Sequence, residues 1–160
     1  MIRTLFDMMR LRSGPQDLPA GSALAMLLAL AWLAQGLLTD RALDSPGSGS
    51  RTLLAIAIQF GAVIALLNLR RQAARIPQTI SALAGTGFIF GLLGLLLLLQ
   101  LDPAEPQPNV AMAYLGLFVW SLAVDGHIYR HALSIKMSLG VLVAVLIFAA
   151  NLIIVRAAFG

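Results

Sequence analysis

QTISALAGTGFIFGLLGLLLLLQL, Gln78 to Leu101, contains no Asp, Glu, Lys, Arg or His. A helix crosses the roughly 30 Å hydrocarbon core of a bilayer in about 20 residues, and this run is long enough to do so. Its apolar residues are continuous, without the i, i+3, i+4 spacing by which a soluble helix turns one stripe inward. The rest of the chain has the same character. Of its 160 residues 59% are hydrophobic and 11% charged, where soluble domains carry about 25% charged residues. So few charges cannot make a water-facing surface. The fold class is therefore all-α, a polytopic transmembrane helical bundle.

Outward from Gln78 the pattern repeats. Pro77 fits the first turn of a helix, and Arg70, Arg71 and Arg75 precede it. Before these arginines comes a second apolar run, Thr52 to Leu69. Before the polar stretch Asp40 to Arg51 comes a first, Ala20 to Thr39. That first run exceeds the 7–15 apolar residues of a signal peptide, and no small-residue cleavage site follows it, so it is expected to be retained. After Leu101, DPAEPQPN (Asp102 to Asn109) carries three prolines and predicts an extended loop. Val110 to Val124 is a fourth run, about 15 residues long and shorter than usual, with room to extend to Tyr129 at the interface. Ser134 to Val155 is the fifth, closed by Arg156. The spans are expected at about 20–39, 52–69, 78–101, 110–125 and 134–155, in one membrane domain over residues 20–157.

Residues 1–19 differ. In MIRTLFDMMRLRSG, Ile2, Leu5, Phe6 and Met9 recur at helical spacing with Arg3, Asp7 and Arg10 on other faces. This predicts a short amphipathic helix lying in the membrane interface. GPQDLP (Gly14 to Pro19) ends it, with Asp17 or Leu18 able to cap the next helix.

Orientation follows from the basic residues. With the N-terminus inside, Arg3, Arg10, Arg12, Arg70, Arg71, Arg75, Arg130 and Lys136 are cytoplasmic, and Arg41, Arg51 and Arg156 external. The positive-inside rule favours this arrangement. Asp40, Asp44, Asp102 and Glu105 then lie outside. The net charge of +4 is explained by topology; no basic patch has interleaved aromatics, so nucleic acid is not an expected partner. The expected partners are membrane lipids and other integral membrane proteins, including further copies of this chain. The expected place is the bacterial inner membrane.

Few residues point to chemistry. The chain has no cysteine, which excludes disulfides and thiolate sites. The glycines near Gly85 lie inside an apolar span and do not form a phosphate loop. No nucleophile, base and orienting group come together, so no enzyme and no cofactor is expected. With Asp125 at the end of the fourth span, no ionisable residue is expected inside any span, which argues against proton-coupled transport.

Helix contacts are better marked. Gly87 and Gly91 form GxxxG in the third span, and Ala57, Gly61 and Ala65 a small-residue stripe in the second. Small residues let helix backbones approach closely in lipid. They serve either the protein's own bundle or the docking of another membrane protein. Gln35, Gln59, Asn68, Ser121 and Asn151 can hydrogen-bond between helices. If several copies assembled around a pathway, Gln59, Asn68 and Asn151 would line it.

VDGHIYRHALS, Val124 to Ser134, holds both histidines. His127 and His131 share a helix face and are candidate metal ligands. No third strong ligand is near, and Arg130 would repel a cation. The alternative is a cytoplasmic turn loosened by Gly126. It would offer Asp125, His127, Arg130 and His131 for contact with the cytoplasm, beside Arg70, Arg71 and Arg75.

Five spans, a cytoplasmic N-terminus, short loops and SGPQDLP (Ser13 to Pro19) ahead of the first span resemble the Yip-type five-span membrane proteins. Ser13 to Pro19 departs from their Asp-Leu-Tyr-Gly-Pro form, so no residue role carries over. The resemblance implies a non-enzymatic membrane protein acting through partners. The expected function is an accessory, scaffold or assembly subunit of a larger membrane complex, and the alternative is a small-molecule or ion pathway formed by oligomerisation.

Overall fold

A computed structural model describes residues 1–43, 48–101 and 107–160, with only the backbone of Ser48. Residues 44–47 and 102–106, with Asp44, Asp102 and Glu105 of the expected outer loops, lie outside the described residues. The described chain is helical: α1 Ile2–Met9, α2 Ser22–Ala42, α3 Ser48–Leu69, α4 Ile76–Leu98, α5 Pro108–Leu133 and α6 Met137–Phe159, with 3-10 turns at Pro15–Asp17 and Ala73–Arg75. Five of these helices are long and apolar enough to cross a membrane. The protein is an integral, multi-pass membrane protein.

The long helices form a closed ring in the order α2, α4, α5, α6, α3, with α3 returning to α2. Arg70, Arg75, Arg130 and Lys136 lie at one end, here called the basic end, because α3 and α5 finish there and α4 and α6 start there. α4 is the most enclosed helix. Thr79 and all residues from Ser81 to Thr86 are buried, since α2 and α5 flank α4 while α1 and the first 3-10 turn cover its outer side. Elsewhere the outer faces are apolar and exposed, as at Met26, Leu30, Leu53, Leu142 and Ile153, which suits lipid contact.

The helix ends follow local chemistry. Proline sits in the first turn of α4 and of α5, where its missing N–H costs nothing. Asp17 accepts the Gly14 N–H at 2.8 Å and so caps the 3-10 turn rather than α2. α3 and α5 each end at a left-handed residue, Arg71 with φ 57° and Ser134 with φ 54°.

Two expectations need correction. The loops are shorter than the composition suggests, because α3 starts at Ser48 and α5 at Pro108. More importantly, the fourth span does not stop near residue 125. α5 continues through the histidine-rich stretch to Leu133, and the turn is Ser134 to Lys136. Gly126 costs a helix only about 1 kcal/mol relative to Ala. It is required because α6 crosses there: a Cβ on Gly126 would lie 2.7 Å from the Val141 Cα, and one on Gly140 would run into the Gly126 carbonyl oxygen. Gly126 therefore tightens a helix contact and does not loosen a helix end.

The amphipathic N-terminal helix is present, and it has a seat on the protein. Leu5, Met8 and Met9 are buried against α4 and α5, leaving Ile2 and Phe6 exposed. Leu5 reaches the Cβ position that Gly85 leaves empty, and the Trp120 indole donates to the Met9 carbonyl at 2.8 Å.

Candidate functional site

Two places bring polar side chains together, one inside the ring and one at the basic end.

Inside the ring, a cavity of about 340 Å³ lies between α2, α3, α4 and α5. The closely approaching glycines Gly91 and Gly94 contribute its α4 wall. Its polar lining is Gln35, Thr39, Asp40, Thr52, Tyr114 and Ser121. Gln35 donates to the Thr39 hydroxyl at 2.8 Å, and Thr52 donates to the Asp40 carboxylate at 2.7 Å. Asp40 and Thr52 belong to the ends of α2 and α3 remote from the basic end, while Ser121 lies near the middle of α5. The cavity thus runs inward from the far end.

Asp125 and Tyr129 follow Ser121 at one-turn intervals on the same side of α5. The Tyr129 hydroxyl accepts from the Gln59 amide of α3 at 3.3 Å. Asp125 is half-buried, and among the described residues it has no ion-pair partner. The expectation that Asp125 marks the end of the fourth helix is corrected: Asp125 and His127 both lie inside α5, about two turns before its end. It failed because it took a polar composition to mean a loop.

Within one chain Gln59, Asn68 and Asn151 have separate surroundings. Gln59 faces Tyr129, but the Asn151 amide donates to the Ala55 carbonyl at 2.8 Å and fastens α6 to α3. Asn68 is exposed at the basic end of α3. Such bonds contribute about 0.6 kcal/mol each.

At the basic end, His127 is buried and its Nε2 lies 3.1 Å from the Ser13 carbonyl oxygen. A carbonyl only accepts, so Nε2 carries the proton and donates. The His131 ring stands edge-on to the His127 ring at 4.6 Å between centroids. Among the described residues no group of three His, Asp or Glu is placed to hold a metal ion, and His127 Nε2 is already engaged. Arg75 closes the end of α5: one guanidinium nitrogen donates to the His131 carbonyl at 3.1 Å, the Ala132 carbonyl at 3.0 Å and the Ser134 hydroxyl at 2.8 Å. Arg70, Arg71 and Arg130 are exposed. Beside Arg75 is a second cavity, of about 270 Å³, lined by Pro15, Gln16, Gln78, Thr79, His131 and Ala132 in addition to Arg75.

The two small-residue motifs part company. Gly87 and Gly91 are filled from within the chain: Cβ atoms there would meet the Trp32 ring at 2.8 Å and the Gln35 side-chain amide carbon at 2.7 Å. Ala57, Gly61 and Ala65 are exposed on the outer face of α3, and a Cβ on Gly61 would meet nothing within 4 Å. The sequence reading missed the Gly126–Gly140 crossing, although two glycines on either side of a short turn are a usable sign of close helix approach. It also missed Trp120 and Ser13, whose partners are more than a hundred residues away.

No protein-family model matches the chain, and neither the curated proteins nor the solved structures provide a match.

Proposed function

We propose that this integral membrane protein handles a small cation along a polar path inside its own helix ring, without a catalytic step. The support is the alignment of the cavity with Asp125. Four helices wall a space with polar groups from Asp40 to Ser121 set among apolar ones such as Phe90, Leu95 and Leu117, and Asp125 stands one turn beyond Ser121 on α5. An acid inside a spanning helix is costly and by default functional, while an acid at the cavity's far end attracts cations by focusing the field. In the bacterial inner membrane, with the basic end cytoplasmic, the cavity opens outward. One chain supplies the whole lining, so oligomerisation is not required for the path.

The test is flux in proteoliposomes under an imposed potential, with dyes for protons, sodium and potassium. Wild-type protein is expected to carry one of these ions, and Asp125→Asn to lower the rate at least roughly tenfold, because the carboxylate's charge interaction is lost. An absence of flux for all three, or equal flux in Asp125→Asn, would remove this reading.

A second reading, the accessory or scaffold subunit, is favoured by the α3 outer face. Its Ala57–Gly61–Ala65 stripe is unfilled, whereas the GxxxG of α4 is consumed internally. A Cβ at Gly61 meets nothing within 4 Å and the position is exposed, so the purified Gly61→Leu variant is expected to melt like wild type. Under the docking reading it loses a membrane protein that co-purifies stoichiometrically with wild type. Retention of that protein at wild-type ratio, or a solitary wild-type chain, counts against docking through α3.

A further inference from the structure

We propose that the basic-end cavity between the first 3-10 turn, α4 and α5 binds one phosphate group, carried by a phospholipid headgroup or by a free phosphate. Arg75 is the central element. One of its nitrogens is committed to the end of α5, but all three acceptors are neutral: two carbonyls and a hydroxyl. Arg75 is exposed, and no carboxylate pairs with it among the described residues, so its positive charge is open to an anion at the wall of a cavity. The remaining guanidinium N–H groups have the planar fork that suits phosphate.

The other lining groups fit the same ligand. Gln16 is exposed at the rim and has an amide to offer. His131 also lines the cavity. Gln78 holds the wall in place, donating to the Leu18 carbonyl at 2.7 Å, while the Thr79 hydroxyl donates to the Arg75 carbonyl at 2.8 Å and fixes the base of the arginine. Asp17, the nearby acid on the same turn, accepts the Gly14 N–H and its charge acts on His131, but it does not line the cavity. The volume of about 270 Å³ falls just below the roughly 300–1,000 Å³ of pockets for drug-sized ligands. It suits a phosphate and its ester oxygen better than a whole nucleotide. The site is independent of the path inside the ring.

The experiment uses the full chain purified in neutral detergent. One arm titrates inorganic phosphate by calorimetry. The other adds phosphatidylglycerol, with phosphatidylcholine as the comparison, and follows lipid retention by native mass spectrometry. One bound phosphate or one retained phosphatidylglycerol per chain is expected. Phosphate binding alone identifies a free-anion site, and selective phosphatidylglycerol retention identifies a headgroup site. Arg75→Gln is expected to weaken binding roughly tenfold or more, the factor for one lost charge-assisted hydrogen bond. Because Arg75 also holds the end of α5, Gln16→Glu provides the second variant. It places a negative charge at the exposed rim, leaves the fold untouched and is expected to weaken binding by a similar factor. No binding in either arm, or wild-type binding in a folded Gln16→Glu protein, overturns the proposal.

Discussion

Gly140→Leu is expected to prevent α6 from packing on α5 and to leave no stable bundle. The side chain would begin where the Gly126 carbonyl oxygen already sits, with the Arg130 backbone nitrogen and Cβ each 3.0 Å away. Backbone atoms cannot rotate aside as a side chain can, so the whole helix pair has to separate. Overpacking costs up to about 3 kcal/mol even where side chains adjust, and native proteins have only about 5–15 kcal/mol in total. Gly126→Leu should be equally damaging, since its Cβ would lie 2.9 Å from the Val141 backbone nitrogen. Gly116→Ala is the matched control. Its Cβ meets nothing within 4 Å, and Ala is about 1 kcal/mol better than Gly inside a helix. Thermal melting and size-exclusion profiles in one detergent should therefore show loss of the folded peak for the two leucine variants and an unchanged or raised midpoint for Gly116→Ala. A monodisperse, normally melting Gly140→Leu protein would mean that the α5–α6 crossing is not as close as described.

Met8→Asp should release the N-terminal segment while the ring of long helices survives. Met8 is fully buried, and replacing a buried methionine even with alanine costs about 2–5 kcal/mol; a carboxylate adds its desolvation. The seat consists of Leu5, Met8, Met9 and Leu18 with the Trp120 and His127 hydrogen bonds. None of the ring contacts among α2, α3 and α6 depends on it. Local opening is therefore less costly than unfolding. The measurable results are rapid hydrogen exchange confined to residues 1–19 and a red-shifted Trp120 emission as its N–H loses the Met9 carbonyl. Trp32, packed on Phe60 with ring centroids 5.8 Å apart, should keep its emission. Global unfolding of Met8→Asp would show instead that the segment is integral to the ring.

The five long helices were legible because each contains a long apolar run, and lipid requires such a run to be helical. The end of α5 was not legible. Asp125 to His131 has the composition of a loop, but three distant contacts make it helix: Gly126 against Gly140, His127 on the Ser13 carbonyl, and Arg75 on the carbonyls of His131 and Ala132. Gly87 and Gly91 announced a close contact, whereas nothing in their spacing named Trp32 and Gln35 as what fills it. The amphipathicity of α1 was visible, but the choice of Met8 over Phe6 for burial depends on the shapes of α4 and α5. The cavity inside the ring had no local sign, because its lining comes from four helices with no shared motif.

The docking of α1 also imposes an order on biosynthesis. Met9 is bonded to a residue 111 positions further along the chain, and Ser13 to one 114 positions further. At roughly 5–20 residues per second, α1 waits about 5–20 seconds after its own synthesis before its seat on α4 and α5 is complete. Until α4 and α5 have been made, Leu5, Met8 and Met9 lack their seat, and the lipid interface is the apolar surface within reach. α1 thus settles only once α4 and α5, made well after it, are in place.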